Sequence, residues 1–396
     1  MKRATPRLCG YGIIGITQEQ DTGGPMPRSP DLVELARVWR GPVVESVHNG
    51  VVAVADTGGT LRHAWGDAGW MPTPRSALKP FQAIALVESG AADAFGLTDE
   101  HIALACASHS AQPFQMALVN DWLGRIGATE DQLVCGPALP RDRDDMGTAF
   151  ASGGARRGYN NCSGKHCGFL SVARHMGGDL DYGRPDHPAQ RLYLDILSDF
   201  TGLDAASLPT GGDGCGLPAI AMPMRAMARA MARFGVGYSA SETRRAAARR
   251  VLNAMVAYPD HLAFRDSPTA RLIRYTEGNV VCKGGAEGYL AACVRDRALG
   301  IAIKVADGDG SGRAKMGVLA RVLGRIGALP KDDAELLVAA VEPGIADSNG
   351  KEVGRVEITI QPHRPTVPTK AGVGFWLSAT PLEPVVDFFD PPMERR

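Results

Sequence analysis

No charge of either sign predominates in this sequence: 43 Lys and Arg are matched by 43 Asp and Glu. A formal net charge of zero removes electrostatic support for a nucleic-acid or membrane-surface partner. Long apolar runs are also missing. No stretch reaches the length of a bilayer span, and in residues 1–25 the short run Ile13-Ile14-Gly15-Ile16 is no signal-peptide core. A cytoplasmic protein with no membrane and no nucleic-acid partner is expected. Cysteine is sparse, with 8 residues in 396, at positions 9, 106, 135, 162, 167, 215, 282 and 293. Spread through so long a chain they argue against a disulfide scaffold and for reduced, mostly buried thiols. Cys162 and Cys215 stand apart, because both sit among Gly and polar residues.

What is present is enough apolar material, 44% of residues, for one large domain or two lobes. Residues 1–38 read as a poorly ordered extension, with Gln18 to Pro30 rich in Gly, Pro and polar residues. From Val43 the pattern turns β: Val43–Val47 and Val51–Ala55 flank His48-Asn49-Gly50, a hairpin signal, and Leu61–Trp65 continues it. Helical spacing then dominates. Ser239 with Glu242 reads as a capping box opening a helix to Ala257, whose Arg244, Arg245, Arg249 and Arg250 suit a solvated face. The Met- and Ala-rich run Ala219–Phe234 suits core packing. After Pro268 strands are expected at 279–283, 287–293, 300–305 and 356–360, with a helix near 313–326. The hexapeptide LGRIGA at 123–128 and 323–328 reads as two similar helix ends rather than a domain repeat. The layout is α/β (α+β): a mixed αβ lobe from about 39–70 and 276–390, with a helical lobe, about 75–270, inserted between. The active site belongs in the cleft.

Three motifs carry chemistry in order. Ser76 and Lys79 lie in Pro74-Arg75-Ser76-Ala77-Leu78-Lys79-Pro80, ahead of an apolar run. Pro80 belongs in the first helical turn, so the helix starts close to Ser76, and residues three apart share a face. Ser becomes a nucleophile once a base takes its proton, and a neutral Lys can do so. Next comes Cys106-Ala107-Ser108-His109-Ser110, then Val280-Val281-Cys282-Lys283-Gly284-Gly285-Ala286, a strand ending at Lys283. The order Ser-x-x-Lys, Ser-x-Ser, Lys-Gly-Gly follows the serine acyl-transferase pattern. Lys79 must be neutral to act, and burial beside a second cation such as Lys283 would lower its pKa from about 10.4.

With Asn161-Cys162-Ser163-Gly164-Lys165-His166-Cys167 and Asp213-Gly214-Cys215-Gly216 added, the chain resembles the asparaginase II family. These are the class 3, Rhizobium-type L-asparaginases. The matching stretches are RSALKPFQ (75–82), CASHS (106–110), NCSGKH (161–166), DGCG (213–216) and KGGAEGY (283–289). The resemblance implies a serine β-lactamase/glutaminase-like fold and two Ser–Lys pairs, Ser76 with Lys79 and Ser108 with Lys283. It also implies a zinc site of Cys162, Lys165 and Cys215. From residue types alone, His166 would replace Lys165, since His is the commoner ligand. Arg75 could pair with a substrate carboxylate, and Asp213 could serve the metal or the substrate's amino group. Residues 39–396 form the asparaginase II-like catalytic region in this reading.

The expected function is L-asparagine hydrolysis to aspartate and ammonia through a Ser–Lys acyl-enzyme, by a homodimer that carries zinc without using it as the nucleophile's source. A glutaminase or β-lactam-type serine hydrolase is the rival enzyme, although a periplasmic one lacks its signal peptide. A zinc- or amino-acid-binding paralogue without catalysis is the third reading. Two departures from the family stand out: Ala111-Gln112 where Gly-Glu is usual, and Asn160 where His is common.

Overall fold

The structure is a computed structural model describing residues 29–310, 312–330, 333, 337 and 344–360. It begins with strands β1 (Val33–Arg40), β2 (Val43–Asp56) and β3 (Leu61–Trp65). A 3-10 turn, Arg75–Leu78, leads into α1 (Lys79–Glu88). There follow α2 (Ala91–Ala94), α3 (Asp99–Ala105), α4 (Pro113–Arg125), α5 (Arg143–Ala151), α6 (Ser163–His175) and α7 (Pro188–Thr201). A small hairpin of β4 (Thr210–Gly212) and β5 (Pro218–Ile220) precedes α8 (Met224–Val236), α9 (Glu242–Ala257) and α10 (Pro268–Tyr275). The chain then returns to β6 (Val280–Gly284), β7 (Tyr289–Val294) and β8 (Leu299–Val305), α11 (Lys315–Arg325), β9 (Ile345–Ala346) and β10 (Glu352–Ile358).

Strands from the two ends of the chain share one antiparallel sheet in the order β6-β7-β8-β2-β1-β10-β9, with β3 against β2. The helical block is thus an insertion into an αβ frame, as expected. Both sheet faces are covered. Along β2, Val51, Ala53 and Ala55 join the core shared with the helical block, while Val52 and Val54 join one containing Val318, Leu319 and Val322 of α11. That alternation is the two-residue period of a strand buried on both sides. Met224, Met227 and Met231 of α8 are fully buried, which supports core packing. At Gly300 of β8 a methyl group would stand 1.9 Å from the Ala228 carbonyl oxygen, so α8 lies too close for any side chain there.

Several local expectations need correction. His48-Asn49-Gly50 does not turn the chain; β2 runs straight through it, and the hairpin closes at Gly41-Pro42, between the paired Arg40 and Val43. Gly50 serves close approach instead, since a methyl group there would meet the Lys304 carbonyl oxygen at 2.1 Å. Residues 33–38, assigned to an extension, form most of β1, paired with β2 and β10. Residues 1–28 lie outside the described residues, as does the part of the expected αβ lobe past 360. The cap of α9 is Ser241, whose side chain accepts from the Arg244 amide, while Ser239 hydrogen-bonds Asp199. Arg244 is buried and pairs with Glu88, Asp195 and Asp199, so it belongs to a helix-to-helix junction and not to a solvated face. The repeated hexapeptide does mark two alike helix ends. Gly127 and Gly327 have φ of +61° and +67°, and the amides of Ala128 and Ala328 return to Leu123 and Leu323.

Candidate active site

The start of α1 places the first pair. Ser76 lies in the 3-10 turn, half-buried, and Lys79 is the first residue of α1, fully buried, with Pro80 in the opening turn. Residues three apart eclipse in such a turn, so both side chains leave on one face. The Lys79 amine donates to the Ala107 carbonyl, to Ser108 Oγ at 3.2 Å and to the Asn161 carbonyl at 3.4 Å. Among the described residues no hydrogen bond joins it to Ser76, so the expected Ser76–Lys79 contact is not made in this arrangement.

The Ser108–Lys283 pair is formed. Lys283, at the end of β6, donates to Ser108 Oγ at 2.9 Å and to the Gly284 carbonyl at 2.8 Å. Ser108 therefore sits between two buried amines. Burial pushes the Lys79 amine below its usual pKa, with the Lys165 charge adding to the effect against the opposing pull of Cys162. Burial, then the Lys79 charge, pushes Lys283 well below its own. Desolvation and mutual repulsion are the two means by which a lysine becomes a base near neutrality. Of the two glycines after Lys283, Gly285 serves close approach: a methyl group there would stand 2.3 Å from the Pro74 carbonyl oxygen, beside the turn that carries Ser76.

The two cysteine motifs meet on the other side of Lys79. Cys162 stands immediately before α6, and the Lys165 amine donates to Cys215 Sγ at 2.8 Å. Cys215, hydrogen-bonded to it, and the Lys79 and Lys165 charges hold the Cys162 thiol well below its usual pKa. The same hydrogen bond and burial push the Cys215 thiol up. Burial works against a charge on Lys165, yet Cys162 and Cys215 keep its ammonium favoured. His166 Nδ1 bonds the Tyr182 hydroxyl at 2.9 Å, while its Nε2 has no hydrogen-bond partner among the described residues. Among the described residues no three His, Cys, Asp or Glu side chains gather as a metal site.

Arg75 and Asp213 form an ion pair, with Arg75 Nε and Nη2 donating to Asp213 Oδ1 at 3.0 and 2.7 Å. Burial alone would raise the Asp213 pKa, but Lys165 and Arg75 bring it below the ordinary value. Arg75 also has φ of +50°, a left-handed conformation that a non-glycine residue adopts at a cost of about 1–2 kcal/mol. Backbone strain sits, then, directly before Ser76.

The motifs contain further residues that matter and were not singled out. His109 accepts the Ala111 amide at Nδ1 (3.1 Å), so its proton is on Nε2, which donates to Ser163 Oγ at 2.8 Å. This bond ties the CASHS loop to α6. Burial, aided by the Lys79 charge, pushes the ring down to about 3. The Leu262 and Ala263 carbonyls accept the Ser108 and Ser110 amides and hold the loop from behind. A His and a Ser inside the two motifs were the available signal; nothing local marks residues 262–263. The departures also find their places. Ala111 has φ of +61°, where glycine is at ease, and Asn160 bonds the Gly136 carbonyl and the Cys162 amide.

A family model described as L-asparaginase II matches residues 36–358. No curated protein matches the chain. Among solved structures the chain is similar to Mglu, at 16% identity over 70% of this chain and 66% of that one, with a TM-score of 0.33. The chain thus spans just under two thirds of Mglu. It is also similar to a β-lactamase from Mycobacterium bovis (15% identity, 72% of this chain and 96% of that one, TM-score 0.39). A putative β-lactamase from Bacteroides dorei is similar at 13% identity over 67% of this chain and 87% of that one, with a TM-score of 0.36. The family expected from the five motifs is the one matched.

Proposed function

Because the chain belongs to the L-asparaginase II family, we propose that it is an L-asparagine amidohydrolase releasing aspartate and ammonia. The observation that carries this reading is the Ser108 hydroxyl held by two buried lysines beside the Ser76 turn. Ser76 attacks the side-chain amide carbon. Lys79, on the same face of the turn, accepts its proton through a change of side-chain rotamer. With both amines donating to Ser108 Oγ, the Ser108 proton is free to face the cleft and protonate the departing ammonia. Water then cleaves the acyl-enzyme by the reverse path. Asp213, with Arg75 beside it, offers recognition of the substrate's amino and carboxylate groups.

Zinc belongs to the same reading. Two thiols and an amine in one buried cluster suit a thiophilic cation, and Cys162, Lys165 and Cys215 would hold it. The short Lys165–Cys215 contact supports Lys165 as ligand, while His166, held at Nδ1 by Tyr182 and with no partner at Nε2 among the described residues, stays the rival. Bound zinc would supply a fixed positive charge that orients substrate and tunes the neighbouring amines. Lys165 must lose its proton to bind it, so affinity falls as pH drops. A homodimer is proposed as the working assembly.

One geometric fact favours a second reading: Ser108, not Ser76, has both lysines, and could itself be the nucleophile. Mass spectrometry of the acid-quenched acyl-enzyme assigns the esterified serine. The function is tested by ammonia release from L-asparagine, L-glutamine and a β-lactam panel. Asparagine is expected to be the fastest. Faster glutamine or β-lactam turnover moves the assignment to the rival hydrolases, and no turnover by folded, zinc-loaded protein rejects catalysis.

A further inference from the structure

A second cavity, of about 580 Å³, opens between α3, α4 and the segment joining α9 to α10. Its size is that of a small-molecule site. Its apolar floor is built from aromatic edges. His261 meets Phe114 edge-on at 5.0 Å and Tyr258 edge-on at 5.6 Å. His261 is buried, and its Nδ1 has no hydrogen-bond partner among the described residues.

The rim carries charges of both signs, most of them engaged. Asp121 pairs with Arg125 and His101, and Arg274 with Asp260 and Asp266. Two remain. The Arg265 guanidinium lies over the Phe114 ring at 5.3 Å, and among the described residues no carboxylate pairs with it. Glu100, also lining the cavity, has no cationic partner among them either. A free cation and a free anion over an aromatic floor are complementary to a zwitterion with an apolar side chain.

We propose that this cavity binds an α-amino acid with an apolar side chain, its carboxylate on Arg265, its ammonium on Glu100 and its side chain against Phe114 and His261. The site is distinct from the lysine–serine cluster, yet only one segment separates them. His261 lines the cavity, while the next two carbonyls, Leu262 and Ala263, hold the Ser108 and Ser110 amides.

The test is isothermal titration of the full chain with L-phenylalanine and L-leucine as probes. Millimolar or tighter binding is expected. Glu100→Gln and Arg265→Gln should each weaken it about ten-fold or more, the loss of one charge-assisted contact. L-phenylalanine methyl ester, which lacks the carboxylate, should weaken likewise, and Arg75→Ala should leave binding unchanged. Glu100 is only half-buried and Arg265 exposed, so both variants should fold, as circular dichroism will show. Absence of binding by both probes overturns the proposal. So does binding that survives both variants, or that is lost in Arg75→Ala alone, which would place the probe in the catalytic cleft.

Discussion

At the scale of single residues, Ser108 is the point where the chemistry converges. It accepts from both Lys79 and Lys283, so either lysine's protonation state is felt by the other. Ser76→Ala should lower kcat by three orders of magnitude or more, while Ser108→Ala should lower it by about two, the usual worth of a general acid. Steady-state ammonia release measures both. Equal losses in the two variants with the acyl group found on Ser108 would favour the second nucleophile assignment. His109 bears on stability instead. Its folded pKa of about 3 lies below its ordinary 6.5. The unfolded chain therefore takes up the proton first, and stability that is full above pH 6.5 is lost progressively as pH falls toward 3. At pH 5 the loss from this ring is about 2 kcal/mol, at 1.36 kcal/mol per unit. Urea unfolding at pH 7 and pH 5 should show His109→Gln losing about that much less than the parent chain. An unchanged pH dependence would sink the assignment.

At the scale of elements, small residues set how closely helices approach the sheet and one another. Gly300 lets α8 lie on β8, and Gly164 brings α6 against the Leu104 carbonyl, where a methyl group would stand 2.3 Å away. Gly300→Ala has to push α8 off the sheet. An overpacking cost of about 1–3 kcal/mol is expected, read as a lower urea midpoint with an unchanged slope. The α1–α7–α9 junction depends on charge. Arg244 is buried with Glu88, so Arg244→Ala leaves that carboxylate partly buried and unpaired. A loss of about 3 kcal/mol is expected, whereas a change at the exposed Arg245–Glu242 pair should be close to neutral. Equal midpoints for the two variants would contradict the junction.

At the scale of the whole molecule, the candidate site is assembled from pieces far apart in the chain. The α1 turn, the CASHS loop, the start of α6, the DGCG loop and the end of β6 converge because the sheet recruits strands from both chain ends around the helical insertion. Zinc held by Cys162, Lys165 and Cys215 would tie the start of α6 to the DGCG loop. A ligand that binds only the folded state stabilises it by mass action. A chelator should therefore lower the unfolding temperature by several degrees, and a Cys162→Ser, Cys215→Ser double variant should be insensitive to the same chelator and bind no zinc by metal analysis. A chelator effect that persists in the double variant would place the metal elsewhere.

The sequence by itself determined the family, the order of the chemical motifs and the αβ frame with its helical insertion. These depend on residue types at short spacings: Pro80 in a first turn, β-branched runs, Gly127 and Gly327 at φ near +60° after their helices. Tertiary structure alone decided the contacts that join distant segments. Gly50 looked like a turn because glycine favours turns, yet it lies inside a strand where Lys304 crosses closely. Arg244 looked solvated because its neighbours are charged, yet its carboxylate partners come from α1 and α7. The choice between Lys165 and His166 could not be made from spacing, since both lie on one helix. What faces each side chain is set only by the fold, Cys215 for the Lys165 amine and Tyr182 for His166 Nδ1. Local propensity is written in neighbouring residues, whereas the partner of a buried charge is set by how the chain folds back on itself.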